Sequence, residues 1–288
     1  MNPQKIAFLV DSCADLGPEL IAGKPVFSAP LRVVCVDGEF SDGVDIDAED
    51  VYRRQARGEL PRTSLPDLMA VGRALDAAKA AGYERVIALP LSSGLSGTYN
   101  MVRLLCESRD DLEIRVFDTK SGSVAIGITV LQLWEDIQGG MEWDRLVGER
   151  APFLLANTFP YFSVDTLEYL QKGGRIGKIT ALAGTMLSIK PIISFSPEGE
   201  LASVAKVRGR KQVIGKLVEL VRSNVRDPRT PFNLAAANGG APGEMEELKR
   251  RLMEAMPGCR HVWTARMDAT LSVYIGSGVL GAGIQFLE

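Results

Sequence analysis

Short apolar runs that stop at a polar loop and hand over to a helical pattern constrain this chain more than any other feature. Ile6 to Val10 is bulky and apolar and ends at Asp11. Arg85 to Leu91 runs into a loop of serines and glycines that opens a helical segment, Thr98 to Glu107. Ile114 to Asp118 precedes a long apolar segment, Ser121 to Gln138. Asp67 to Ala81 places Leu68, Val71, Leu75 and Ala78 on one helical face and stops at Gly82. Runs this short and this apolar read as buried strands. Their alternation with helices predicts a parallel sheet covered by helices on both faces. Leu31 to Val36 is β-rich and followed by the hairpin signal Asp37-Gly38, and Asp45 to Arg57 reads as a charged helix.

The second half is patterned differently. Phe159 to Val164, Pro191 to Phe195, Leu201 to Val207 and Phe232 to Ala237 read as strands, with a turn at Glu198-Gly199-Glu200. Thr166 to Gln171, Ala181 to Leu187, Lys211 to Asn224 and Gly243 to Met256 read as helices. The segments around Val262 to Ala265 and Leu271 to Ile275 look β-like. Hairpins mixed with helices predict a mixed or antiparallel sheet. The expected fold class is α/β in two domains. Residues 1–160 would carry a mainly parallel sheet flanked by helices, and residues 161–288 a mixed or antiparallel sheet with helices.

Composition narrows the chemistry. A net charge of −3 over 288 residues disfavours a nucleic-acid partner. The single histidine, His261, leaves little for zinc sites or histidine-based triads, so no metal is expected. Cys13, Cys35, Cys106 and Cys259 form no CxxC pair and read as reduced, mostly buried thiols. Ile6 to Val10 is too short for a signal peptide, and no stretch approaches the roughly 18 apolar residues of a membrane span. A cytoplasmic protein without integral membrane association is the expectation.

Several constellations could carry function. In Leu91-Ser92-Ser93-Gly94-Leu95-Ser96-Gly97-Thr98, small residues follow a strand and open a helix. Free helix N–H groups, with hydroxyls at Ser93, Ser96 and Thr98 and the open backbone at Gly97, make a cradle for an anionic oxygen. The segment is neither a nucleophile elbow, since Thr98 stands where a glycine is needed, nor a dinucleotide fingerprint. Ser96 acting with distant His261 as base ranks low. Arg62-Thr63-Ser64-Leu65-Pro66 sits between two helical stretches, where Thr63 or Ser64 would serve as an N-cap. Lys172-Gly173-Gly174-Arg175-Ile176-Gly177-Lys178 and Lys206-Val207-Arg208-Gly209-Arg210-Lys211 are basic clusters in an acidic chain, suited to a phosphate or an acidic partner. Asp11, at the end of a strand, is either a catalytic or metal-binding acid or an Asx cap, and the two readings stand level. Ile275-Gly276-Ser277-Gly278-Val279-Leu280-Gly281 allows a tight turn.

Taken in order, these motifs resemble the DegV family of bacterial fatty-acid-binding proteins. The matching pieces run from Val10-Asp11-Ser12 through Arg62-Thr63-Ser64, the Leu91 to Tyr99 segment and Phe117-Asp118-Thr119-Lys120. They continue through Asp165 to Leu170, Lys172 to Ile176, Ile189-Lys190-Pro191-Ile192 and Lys206 to Arg210. The resemblance implies two α/β domains with a fatty acid buried between them and no other cofactor. It implies a carboxylate held at Thr63 and Ser96, and a partner protein, a fatty acid kinase, that phosphorylates it. Arg175, Arg208 and Arg210 would then face the partner or the new phosphate. The chain itself would be a carrier without catalytic residues. The alternative is an enzyme in its own right, a serine esterase through Ser96 or a phosphoryl-transfer enzyme through Asp11.

One departure stands out. Family members commonly carry His-x-Gly-Pro-Gly near the C-terminus, and here the residues are Tyr274-Ile275-Gly276-Ser277-Gly278. Tyrosine is neutral near pH 7. Its hydroxyl could donate to the carboxylate directly, which makes Tyr274 a head-group neighbour.

Overall fold

The computed structural model describes residues 2–182 and 189–288. Ile6–Asp11, buried at every position, is the second strand of a four-stranded sheet with Val26–Ala29, Arg85–Leu89 and Glu113–Val116. All pairings in it are parallel, as the alternating pattern predicts. A six-stranded sheet runs Leu201–Arg208, Ile189–Phe195, Thr158–Ser163, Val279–Phe286, Phe232–Gly239, Val262–Arg266. Its pairs are antiparallel except the last, so it is mixed. The position 160/161 falls inside the strand Thr158–Ser163. The expected helix Ala181 to Leu187 falls largely on residues 183–188, outside the described residues.

Two local expectations are corrected. Arg62–Ser64 is a strand, not a helix cap, and joins Arg32–Cys35 and Gly38–Ser41 in a small antiparallel sheet with Thr63 opposite Val33. Leu65 precedes Pro66, which disfavours helical backbone there. The cap therefore moves past the proline to Asp67, which accepts from the Met69 N–H at 2.9 Å. The β-like segment Leu271 to Ile275 belongs to a helix, Ala269–Ile275. The glycines after it make a turn at Gly276 and Gly278, both at positive φ, and the chain then enters the strand Val279–Phe286.

The long helix Val124–Gln138 lies between the two large sheets. Ile126, Val130, Leu133 and Ile137 pack with Ile6, Phe8, Ile87 and Leu89 of the parallel sheet. Val124 and Ile128 pack with Ile193, Ala235, Ala237 and Val279 of the mixed sheet. Each such side chain contributes about 1.5–3 kcal/mol on full burial. Its polar residues are matched as well. Asn233 donates to Gln132 at 2.9 Å and Gln285 donates to Thr129 at 3.0 Å. Among the described residues no helix is long and apolar enough to cross a membrane. The four cysteines are free thiols, with Cys13, Cys35 and Cys106 buried.

Candidate functional site

Between the mixed sheet, the serine loop and the C-terminal helix lies a cavity with about 850 Å³ of space between atoms, its mouth included. Its walls are largely apolar, with Leu91 and Leu95 from the serine loop, Phe162, Phe195 and Ala237 from the mixed sheet, and Leu271 from the C-terminal helix. Polar groups gather at Thr63, Ser96, Arg175 and Tyr274.

The serine loop is held from several directions. Asp11 accepts from the Leu91 N–H at 2.7 Å and the Cys13 N–H at 3.0 Å, so both its oxygens are committed to backbone. Burial raises its carboxyl to about 7 against those two bonds. Asp11 lies outside the cavity lining and acts as the Asx cap of the two sequence readings. Ser92 donates to Gly199 O at 2.8 Å, pinning the loop to the hairpin turn of the mixed sheet. Gly94 is required there, because a methyl on it would sit 2.5 Å from the Gly199 carbonyl carbon.

Of the loop residues expected to bind an anion, the cavity takes one side chain. Ser96 lines it, and its hydroxyl bonds Thr98 Oγ1 at 2.8 Å while accepting the Thr98 N–H at 3.2 Å. Gly97 precedes the helix Thr98–Glu107 without a side-chain cap. Thr98 is fully buried beneath it. Ser93 turns away, bonding Asp118 through its hydroxyl and receiving Lys120 Nζ at 2.9 Å. His261 pairs with Glu135 at 2.9 Å and stacks near Trp263, outside the cavity lining. The Ser96–His261 couple is thus not assembled.

Tyr274 is the hub of the polar end. Its hydroxyl meets Thr63 Oγ1 at 2.6 Å. The Arg175 guanidinium lies 5.0 Å from its ring centroid, a cation–π contact. Arg175 also donates to Gly173 O at 2.9 Å and Leu95 O at 3.4 Å, and it forms no ion pair among the described residues. Arg175 thus lies in the cavity wall, at its polar end. Gly173 is explained by the ring, since a methyl there would sit 2.4 Å from Tyr274 Cδ1.

The helix Ala269–Ile275 that carries Tyr274 would be marginal alone. Asp268 caps it through the Leu271 N–H at 2.6 Å. Asp42 accepts the Ala269 and Thr270 N–H groups at 2.9 and 3.0 Å. Asp15 accepts the Asp268 N–H at 2.8 Å. At the other end Gln55 donates to the Ser272 and Val273 carbonyls at 3.1 Å. Carboxylates suit a helix N-terminus, and the donor satisfies its orphan carbonyls. Burial raises Asp15 to about 6 and pushes Asp268 well above the usual carboxylate range.

The second basic cluster stays outside the cavity. Arg210 forms a two-pronged pair with Glu244 at 2.8 and 2.9 Å and reaches Asp165 at 3.3 Å. Arg208 is exposed at the end of the edge strand Leu201–Arg208. Among the described residues, Cys35, Asp37 and Glu59 form the close group of metal-type ligands, and Arg54 already occupies both carboxylates. Thr270 and the aromatic wall of Phe162 and Phe195 escaped the sequence reading. Thr270 is four residues before Tyr274, a spacing that signals a shared face only once the segment is helical.

The model of the DegV family, described as an uncharacterised protein family, matches residues 5–287. A DegV domain-containing protein of Clostridium acetobutylicum is 34% identical over 281 residues, covering 98% of this chain and 99% of its own. Among solved structures, a DegV family protein from Thermus thermophilus described for its fatty acid binding superimposes with a TM-score of 0.90 at 25% identity. The alignment covers 100% of both chains. DegV from Bacillus subtilis, described as a fatty acid binding protein, gives a TM-score of 0.85 at 27% identity over 99% of each chain.

Proposed function

The chain belongs to the DegV family, and from that premise we propose that it binds a long-chain fatty acid in this cavity and presents the carboxylate to a fatty acid kinase. The observation that carries this reading is a largely apolar cavity whose polar end gathers Arg175, Tyr274, Thr63 and Ser96. A buried carboxylate needs a counter-charge and hydrogen bonds. Arg175 offers the charge, and the hydroxyls of Thr63, Ser96 and Tyr274 offer the donors. The acyl chain then lies against Leu95, Phe162 and Phe195. The fatty acid binding of the Thermus thermophilus and Bacillus subtilis relatives supports the ligand class.

In this reading the chain holds, orients and shields, while the partner brings nucleotide and metal. His261 pairs with Glu135 away from Ser96, and Asp11 is committed to backbone, so neither Ser96 nor Asp11 is set up as the nucleophile or acid that an independent enzyme would need. Arg208, exposed on an edge strand, is a cation available to a partner surface.

Mass spectrometry of a solvent extract of the purified, denatured protein tests the ligand. One fatty acid per chain is expected. Folded protein that is empty and takes up no added fatty acid would overturn the reading. For the partner, Arg208→Glu should keep the ligand while slowing acyl-phosphate formation by a fatty acid kinase. Unchanged turnover would remove Arg208 from the interface.

A further inference from the structure

We infer that Thr270 is a second polar anchor inside the cavity, and that it fits an acyl chain bearing a hydroxyl group close to its carboxyl end. This rests on the fatty-acid reading above and sharpens its substrate class. Six hydroxyl side chains line the cavity among the described residues, and five have partners. Thr63 bonds Tyr274, Ser96 bonds Thr98, Ser123 bonds Asp15, and Tyr161 accepts from Asn224 at 2.9 Å. Thr270 is 2% exposed, and its Oγ1 has no hydrogen-bond partner. Its backbone is fixed, because Asp42 accepts its N–H at 3.0 Å. A buried hydroxyl without a partner costs stability that a valine of the same shape would not.

Position follows from helix geometry. Thr270 and Tyr274 are four residues apart on one helix, so their Cβ atoms lie about 5–6 Å apart on a shared face. If Tyr274 meets the carboxylate, Thr270 stands a few carbons along the chain. An unsubstituted acyl chain offers nothing there to either the donor or the acceptor of a hydroxyl. A hydroxyl on one of the first carbons offers both.

The test uses full-length protein stripped of lipid and titrated with hexadecanoic, 2-hydroxyhexadecanoic and 3-hydroxyhexadecanoic acids. Wild type is expected to bind one hydroxy acid at least about fivefold more tightly than hexadecanoic acid, the effect of one hydrogen bond. Thr270→Val should abolish that preference while binding hexadecanoic acid as well as wild type or better. Thr270→Ser, which keeps the hydroxyl, should retain the preference and guards against a folding defect in the valine variant. Equal binding of the three acids by wild type, or a preference that survives Thr270→Val, overturns the inference. Folded wild type that binds none of them overturns the fatty-acid reading along with it.

Discussion

Thr63 and Tyr274 meet hydroxyl to hydroxyl at 2.6 Å across 211 positions of sequence. One comes from the small antiparallel sheet and the other from a helix near the C-terminus. Their meeting closes the polar end of the cavity. Tyr274→Phe keeps the ring over Arg175 and removes the hydroxyl. Fatty-acid affinity should fall about tenfold, equivalent to about 1.4 kcal/mol. Titration with a fluorescent fatty acid measures it, and unchanged affinity would take Tyr274 out of the head-group site.

Arg175→Met should cost more, because it removes the one cation that lines the cavity among the described residues. A lost charge-assisted hydrogen bond predicts a loss of about 10–100-fold in affinity. The same variant should show a weaker dependence of binding on ionic strength. Equal salt dependence in the two proteins would argue against a charge role.

Gly173→Ala drives a methyl into the Tyr274 ring. Overpacking of this kind costs about 1–3 kcal/mol, visible as a Tm lowered by a few degrees. In a Tyr274→Ala background the same substitution should cost much less. An equal cost in both backgrounds would locate the strain elsewhere.

Asp11, Asp15 and Asp268 set a pH dependence. Burial raises Asp11 to about 7 and Asp15 to about 6, from an ordinary 3.8, and lifts Asp268 as well. From about pH 4 to about pH 7 the folded chain holds protons that the unfolded chain has released. Their stabilisation is complete below that window and is lost as pH rises through it. Asparagine caps a helix as well as aspartate does. Asp268→Asn should therefore melt above wild type at pH 8, by a margin that shrinks toward pH 5. A margin independent of pH would contradict the assignment.

The legibility of this molecule follows the range of its interactions. The serine loop could be read because its strand end, glycines and helix start are contiguous. The helix Ala269–Ile275 could not, because Leu-Ser-Val-Tyr-Ile has β character and one of its caps, Asp42, lies 227 positions away. The strand Val279–Phe286 hid behind Gly281 and Gly283, residues that weaken strand propensity yet pair on both sides within the sheet. Thr63 emerged through family resemblance and Ser96 already from the serine loop, and both line the cavity. The expectation for Arg175 left a partner and a new phosphate open; its place in the cavity wall depends on a tyrosine from another part of the chain and could not be read locally.

The helix Val124–Gln138 has a consequence for traffic. Its two faces are packed into opposite sheets, so parting those sheets would expose apolar side chains of this helix to water. For the ligand proposed above, release by parting the sheets would carry that cost.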